Sequence, residues 1–208
     1  DLRFSPMLQP GSASMEPGTR RLVVKSEFGT NAMAELHSFD FGGHGVVRVS
    51  AVLDDGAELP GHLEGEPGMY DIPVPKRTDG SIIADSWRKD PKNGGGRLFD
   101  EQDNEVISGS LHPGDGLSVY EEYRGFQVQR EHVRTDPTLK TVMIHSDTVG
   151  TERGLALLRQ ATAMQVLKIE ADEYVNDQVR LVNPNHGSCP VVAQHGLYLT
   201  FGSLARGV

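Results

Sequence analysis

The strongest constraint in this chain is a nine-residue pattern that occurs twice. Asp79-Gly80-Ser81-Ile82-Ile83-Ala84-Asp85-Ser86-Trp87 is echoed by Asp115-Gly116-Leu117-Ser118-Val119-Tyr120-Glu121-Glu122-Tyr123. In each copy an Asp-Gly turn leads into a short apolar segment. An acid stands six residues after the first Asp, and an aromatic follows two residues later. Gly permits a sharp bend, and carboxylates on either side of it can converge on one hard cation. This is how small calcium-binding loops are built. Two such copies would make the middle of the chain a calcium-stapled hinge rather than a catalytic centre.

An ideal loop of the EF type runs Asp-x-Asp-x-Asp-Gly and closes with a bidentate Glu. Gly116 takes the Gly position, Asp115 the carboxylate before it, and Glu122 the terminal Glu; the two earlier ligand positions are Leu111 and Pro113. Further oxygens would come from the segment between the copies, such as Asp100, Asp103 or Asn104. The candidate metal ligands are Asp79, Asp85, Asp100, Asp103, Asp115, Glu121 and Glu122, and the expected ion is calcium. The plainer alternative is a Gly turn feeding a capped helix, with acids at its start because the helix dipole favours them there.

Other chemistry is poorly represented. His186 and His195 flank a turn, but no His-Glu-x-x-His occurs, and the single Cys189 excludes a Cys-rich zinc site, so zinc is not expected. No Gly-x-Ser-x-Gly elbow and no phosphate-binding glycine loop is present; the Gly94-Gly95-Gly96 run reads as linker. His112, His132 and His145 are scattered and read as surface or satisfied histidines. No catalytic residue is assigned, and the chain alone is not expected to be an enzyme.

The expected fold class is α+β. Residues 1–18, rich in Pro, Gly, Ser and Met, read as a linker or arm. Residues 19–75 contain strand-like runs at 22–28, 32–39, 45–53 and 69–74, with turns at Gly42-Gly43 and Asp54-Asp55-Gly56. Their spacing suggests a β-sandwich module, immunoglobulin-like in general form but without the Cys…Trp…Cys signature. Residues 76–126 form an acidic, Gly-rich loop region. It ends in a helix with a capping box, Ser118 with Glu121, and a stop at Gly125. Trp87 and Tyr123 are expected to plug the core beneath each loop. Residues 127–208 read as an α/β unit: a strand at 141–145, a helix at 152–163 with Thr151 as its cap, and strands at 165–170, 178–182 and 191–201. One main helix would then pack on a curved sheet.

The run Pro113-Gly114-Asp115-Gly116-Leu117-Ser118-Val119-Tyr120-Glu121-Glu122-Tyr123-Arg124-Gly125-Phe126 carries a resemblance. So do His132-Val133-Arg134-Thr135-Asp136-Pro137, Lys140, Ile72-Pro73 and Ile83-Ala84-Asp85-Ser86-Trp87. It resembles the N-terminal regions of large bacterial exported proteins, some of which carry a zincin-like metallopeptidase domain. The resemblance covers roughly residues 70–200 and implies the start of a zincin-like domain whose zinc helix would follow Val208. It carries no zinc ligand or general base onto any residue here.

The net charge of −9 argues against non-specific nucleic-acid binding and against anionic lipid. No apolar run approaches a membrane span. The chain begins at Asp1, as a processed or trimmed product would. The expectation is a secreted or cell-surface bacterial module whose partners are another protein or further domains of the same polypeptide. The alternatives are part of a zinc metallopeptidase and a metal-free interaction scaffold.

Overall fold

The computed structural model describes residues 2–4, 13–17, 20–25, 31–38, 41–78, 80–96, 99–103, 113–173, 182 and 196–199. The protein mixes helix and strand in two compact units, 1–76 and 77–208.

The first unit is built from short antiparallel ribbons. Strand β1 (Leu2–Phe4) pairs with β4 (Leu36–Ser38), and β2 (Ala13–Met15) with β3 (Leu22–Val24). Strand β5 (Gly45–Val47) pairs with β8 (Ile72–Val74), and β6 (Ser50–Val52) with β7 (Glu58–Pro60). The run 45–53 is therefore two strands with different partners. The break falls at Arg48, whose guanidinium forms an ion pair with Asp71 just before β8. At the β6–β7 turn, Gly56 has φ +83° and donates to Leu53 O, while Leu53 N donates to Ala57 O. This left-handed position explains the Gly that follows Asp54-Asp55.

In the second unit the two copies of the nine-residue pattern meet. The first ends in helix α1 (Asp85–Arg88), the second in α2 (Val119–Arg124). Gly80 and Gly116 occupy the positive-φ turn in each, at +83° and +96°. The fifth residues, Ile83 and Val119, share one buried cluster with Ala84 and Tyr123. The ninth residues, Trp87 and Tyr123, touch edge to face at 5.2 Å, and Arg134 lies over the Tyr123 ring. Both aromatics thus belong to the apolar cluster between the copies.

A parallel three-stranded sheet follows. Strand β11 (Thr141–Ser146) lies between β12 (Gln165–Ile169) and β13 (Leu197–Leu199). Side chains alternate across it. Val142, Ile144 and Val166 face helix α3 (Glu152–Thr162) and meet its Leu155 and Leu158. On the same face Lys168 reaches Glu152 at 2.7 Å. Met143, Leu167 and Ile169 face the other way, onto Phe126 and Val128 of β9 (Phe126–Val128) and Val133 of β10 (Glu131–Val133). The expected strand at 178–182 lies outside the described residues, apart from Val182.

The β9–β10 hairpin covers the second face of the sheet without a recognisable turn sequence. Its corner residues, Gln129 and Arg130, both have positive φ, 54° and 67°, where Asn-Gly would be usual. Glu173 holds the corner. Its buried carboxylate accepts the N–H of Gln129 (3.0 Å) and Arg130 (2.7 Å), and also that of Glu170 (3.0 Å). Glu173→Gln places an amide against backbone donors and should destabilise the unit by about 1–3 kcal/mol in urea titrations. Replacing Gln129-Arg130 by Asn-Gly should shrink that loss, because the corner then forms on its own.

Candidate functional site

Helix α2 is too short to leave its first amides to water without loss, and each of them is taken. Segment 99–103 lies against its start. Gln102 O accepts from Val119 N (2.9 Å), and Asp100 O accepts from Tyr120 N (3.0 Å). Ser118 Oγ accepts from Glu121 N, while Glu121 Oε2 accepts from Ser118 N (2.7 Å) and Ser118 Oγ (2.9 Å). This is the reciprocal capping box that the sequence predicts, and the helix ends at Gly125 as expected.

The acidic side chains of this region serve the backbone around them. Asp103 accepts from the N–H of Asp115 (2.9 Å) and Gly116 (3.0 Å). Asp115 Oδ1 accepts from Leu117 N (2.9 Å), and its Oδ2 accepts from Thr141 N at the start of β11. Lys140 Nζ donates to Gly114 O (2.8 Å). At Gly114 an added Cβ would run into the Asp103 carboxylate, so only glycine leaves room for that acid. Asp100 is 4 % exposed; it accepts from Ser81 Oγ (3.0 Å) and Ile82 N (2.7 Å) and pairs with Arg88 Nη1 at 2.6 Å.

Of the predicted ligands, Asp103 and Asp115 are brought into one network, and Glu121 lies one helical turn beyond. Asp100 belongs to the first copy of the pattern, through Ser81 and Arg88. Asp85 stands apart, accepting from Thr78 N (2.8 Å) and pairing with Lys89 (2.9 Å). The Lys89 ammonium, with Thr78, holds the Asp85 carboxyl below its ordinary range against the opposing effect of burial. Glu122 is buried and lies 3.4 Å from Thr135 Oγ1. Asp79 lies outside the described residues. Among the described residues, no three His, Cys, Asp or Glu side chains converge as a metal site. One oxygen stands out: Glu121 Oε1 is buried and has no hydrogen-bond partner among the described residues.

A second polar cluster, unremarked in the sequence, sits at the carboxyl ends of β11 and β13. His145 is buried, with Nδ1 donating to Ile169 O (2.8 Å) and Nε2 at 3.1 Å from Asp147 Oδ1. Tyr198 stacks on the imidazole at 5.4 Å, and its hydroxyl donates to Asp147 Oδ2. Tyr198, and with it His145, hold the Asp147 carboxyl below its usual range. Each polar group here already faces a partner from the chain itself. The pairing needs strands 50 residues apart to lie side by side, which no local spacing reveals.

Comparison of this chain with protein-family models, with curated proteins and with solved structures finds no match.

Two outcomes follow from this geometry. Gly114→Ala and Asp103→Ala should each lower stability by about 1–3 kcal/mol, since either loses the carboxylate clasp on the Asp115 and Gly116 amides. The double variant should lose little more than one of them, which a double-mutant cycle by urea unfolding will read. For Asp85 the folded pKa lies below the unfolded one. Its contribution is therefore fully present above the ordinary carboxylate range and lost as pH falls through the folded value. Melting curves across the acid range should show a shallower pH dependence for Asp85→Asn than for the native chain.

Proposed function

We propose that this chain is a non-catalytic structural or binding module of a secreted bacterial multidomain protein, of the kind its Tyr-Glu-Glu-Tyr-Arg-Gly-Phe run resembles. Its N-terminal unit would serve as a β module, immunoglobulin-like in general form. The observation that carries the reading is the use of the central acids. Asp100, Asp103, Asp115 and Glu121 each accept two or more donors from the chain itself. Groups committed in this way fix loops and are poorly placed to abstract protons or attack a substrate. Partners would be another protein or further domains of the same polypeptide.

A calcium-stabilised form of this module is the second reading, and Glu121 Oε1 favours it. A buried carboxylate oxygen without a donor is costly, by about 1–3 kcal/mol or more, and a hard cation would relieve it. Glu122 and Asp115 are its nearest acids along the chain, Asp103 shares the Asp115 network, and each would have to exchange a present contact for the ion.

Elemental analysis of protein purified without chelator, followed by melting with and without EDTA, separates the readings. About one calcium ion per chain, with a melting point several degrees lower in EDTA, supports the stabilised form. In that case Asp115→Asn with Glu122→Gln abolishes the EDTA effect. No metal and no shift retires calcium and leaves the module reading intact. Stoichiometric zinc together with hydrolysis of a protein substrate overturns the non-catalytic reading.

A further inference from the structure

The β6–β7 hairpin presents an apolar face that is left exposed among the described residues. Alternation puts Val49, Ala51 and Leu53 on one side, and Leu59 stands directly across from Ala51. Val49 is 54 % exposed, Leu53 45 % and Leu59 53 %. A Cβ at Gly61 would meet Val49 Cβ at 3.4 Å, so the glycine leaves the Val49 side chain room at the end of the ribbon. A two-stranded ribbon with a bare apolar face is marginal by itself and gains from a third strand.

The ladder also shows which edge is open. Leu53 N donates to Ala57 O (2.9 Å) and Gly61 N donates to Val49 O (2.7 Å). In an antiparallel ladder inward and outward residues alternate, so Ser50 and Val52 direct their N–H and C=O groups away from β7. Among the described residues β6 has no strand partner besides β7. The outer edge of β7 is interrupted by Pro60, which has no N–H to offer. No proline, bulge or lysine protects β6 in the way that edge strands are usually protected.

Charge then selects the occupant. Residues 49–60 carry Asp54, Asp55 and Glu58 and no basic side chain, and the adjacent Arg48 is engaged by Asp71. A second copy docked on this edge would bring like charges together. A strand with lysine or arginine between apolar residues would instead meet complementary charge and an apolar face in one register.

We propose that the outer edge of β6 is a strand-addition site for an extended segment of another protein in which apolar and basic residues alternate. This rests on the reading of the chain as a binding module and names the surface it would use. The backbone of Ser50 and Val52 supplies the hydrogen bonds, Val49, Leu53 and Leu59 the apolar contact, and Asp54 and Glu58 the preference for a basic strand.

The test uses the full chain and two fluorescein-labelled octapeptides, one alternating Lys with Val and one alternating Glu with Val, read by anisotropy. The Lys–Val peptide should bind, more weakly as salt rises, and the Glu–Val peptide should not. Ser50→Pro removes an outward N–H at a strand start, where proline is tolerated, and should weaken binding at least about tenfold at an unchanged melting point. Asp54→Lys with Glu58→Lys should reverse the preference between peptides, which carries the test if Ser50→Pro disturbs the hairpin. Equal binding of both peptides, binding of neither, or insensitivity to both variants overturns strand addition. So does a dimer in sedimentation that Ser50→Pro dissolves, since the edge then belongs to a second copy. Cleavage of a bound peptide would overturn the non-catalytic reading instead, whereas an intact, unbound peptide overturns strand addition alone.

Discussion

The second unit depends on the carboxylate and amide of Asp115. The amide is held by Asp103, one carboxylate oxygen turns the chain into α2 through Leu117 N, and the other reaches Thr141 N where β11 begins. A single residue thereby joins the loop before α2, the helix start and the central strand of the parallel sheet. Few of these contacts are strong alone, since a net hydrogen bond contributes on the order of 1 kcal/mol. Their value lies in direction. Short elements such as a six-residue helix have too little apolar area to fix their own orientation, and charged acceptors aimed at specific amides do so instead.

The repeated pattern has a physical use besides the cation loop it suggests. An Asp-Gly turn flanked by acids is what a calcium loop needs, and it is also what a loop needs when its carboxylates bind its own amides. An ionised carboxylate offers about four lone-pair sites, and a sequence does not say whether N–H groups or a cation will fill them. The capping box and its Gly stop were legible because both lie within one helical turn. Strand β11, helix α3 and strand β12 were legible because apolar period and length agree for each. Thr151 precedes α3 but makes no side-chain cap bond. The packing of the two copies against each other, Ile83 with Val119 and Trp87 with Tyr123, is tertiary and was implied only by their echo.

What stayed hidden depends on partners distant in sequence. The β9–β10 corner is built from Gln129 and Arg130, residues that rarely adopt left-handed backbone, and it is held by Glu173 some forty residues later. The division of 45–53 into β5 and β6 follows from a change of partner at Arg48, while the apolar alternation runs straight through. The cluster of His145, Asp147 and Tyr198 depends on the parallel pairing of β11 with β13, which no spacing in the chain announces.

These two kinds of polar group divide the labour of the molecule. In the second unit, buried charge is matched where it is described: Asp100 by Arg88 and Ser81, Glu173 by three amides. Matching is required, because removing a charge from water without replacing its partners costs several kcal/mol. In the first unit the acids of the β6–β7 hairpin stay in water, and beside them lie exposed apolar side chains and a strand edge without a partner among the described residues. Among the described residues, polar groups of the second unit are largely engaged within the chain, while the β6–β7 hairpin of the first keeps an edge without a strand partner. Glu121 Oε1, a buried carboxylate oxygen without a hydrogen-bond partner among the described residues, departs from that pattern, and the proposed strand addition at β6 departs from it in the opposite sense, by placing the open groups at the surface.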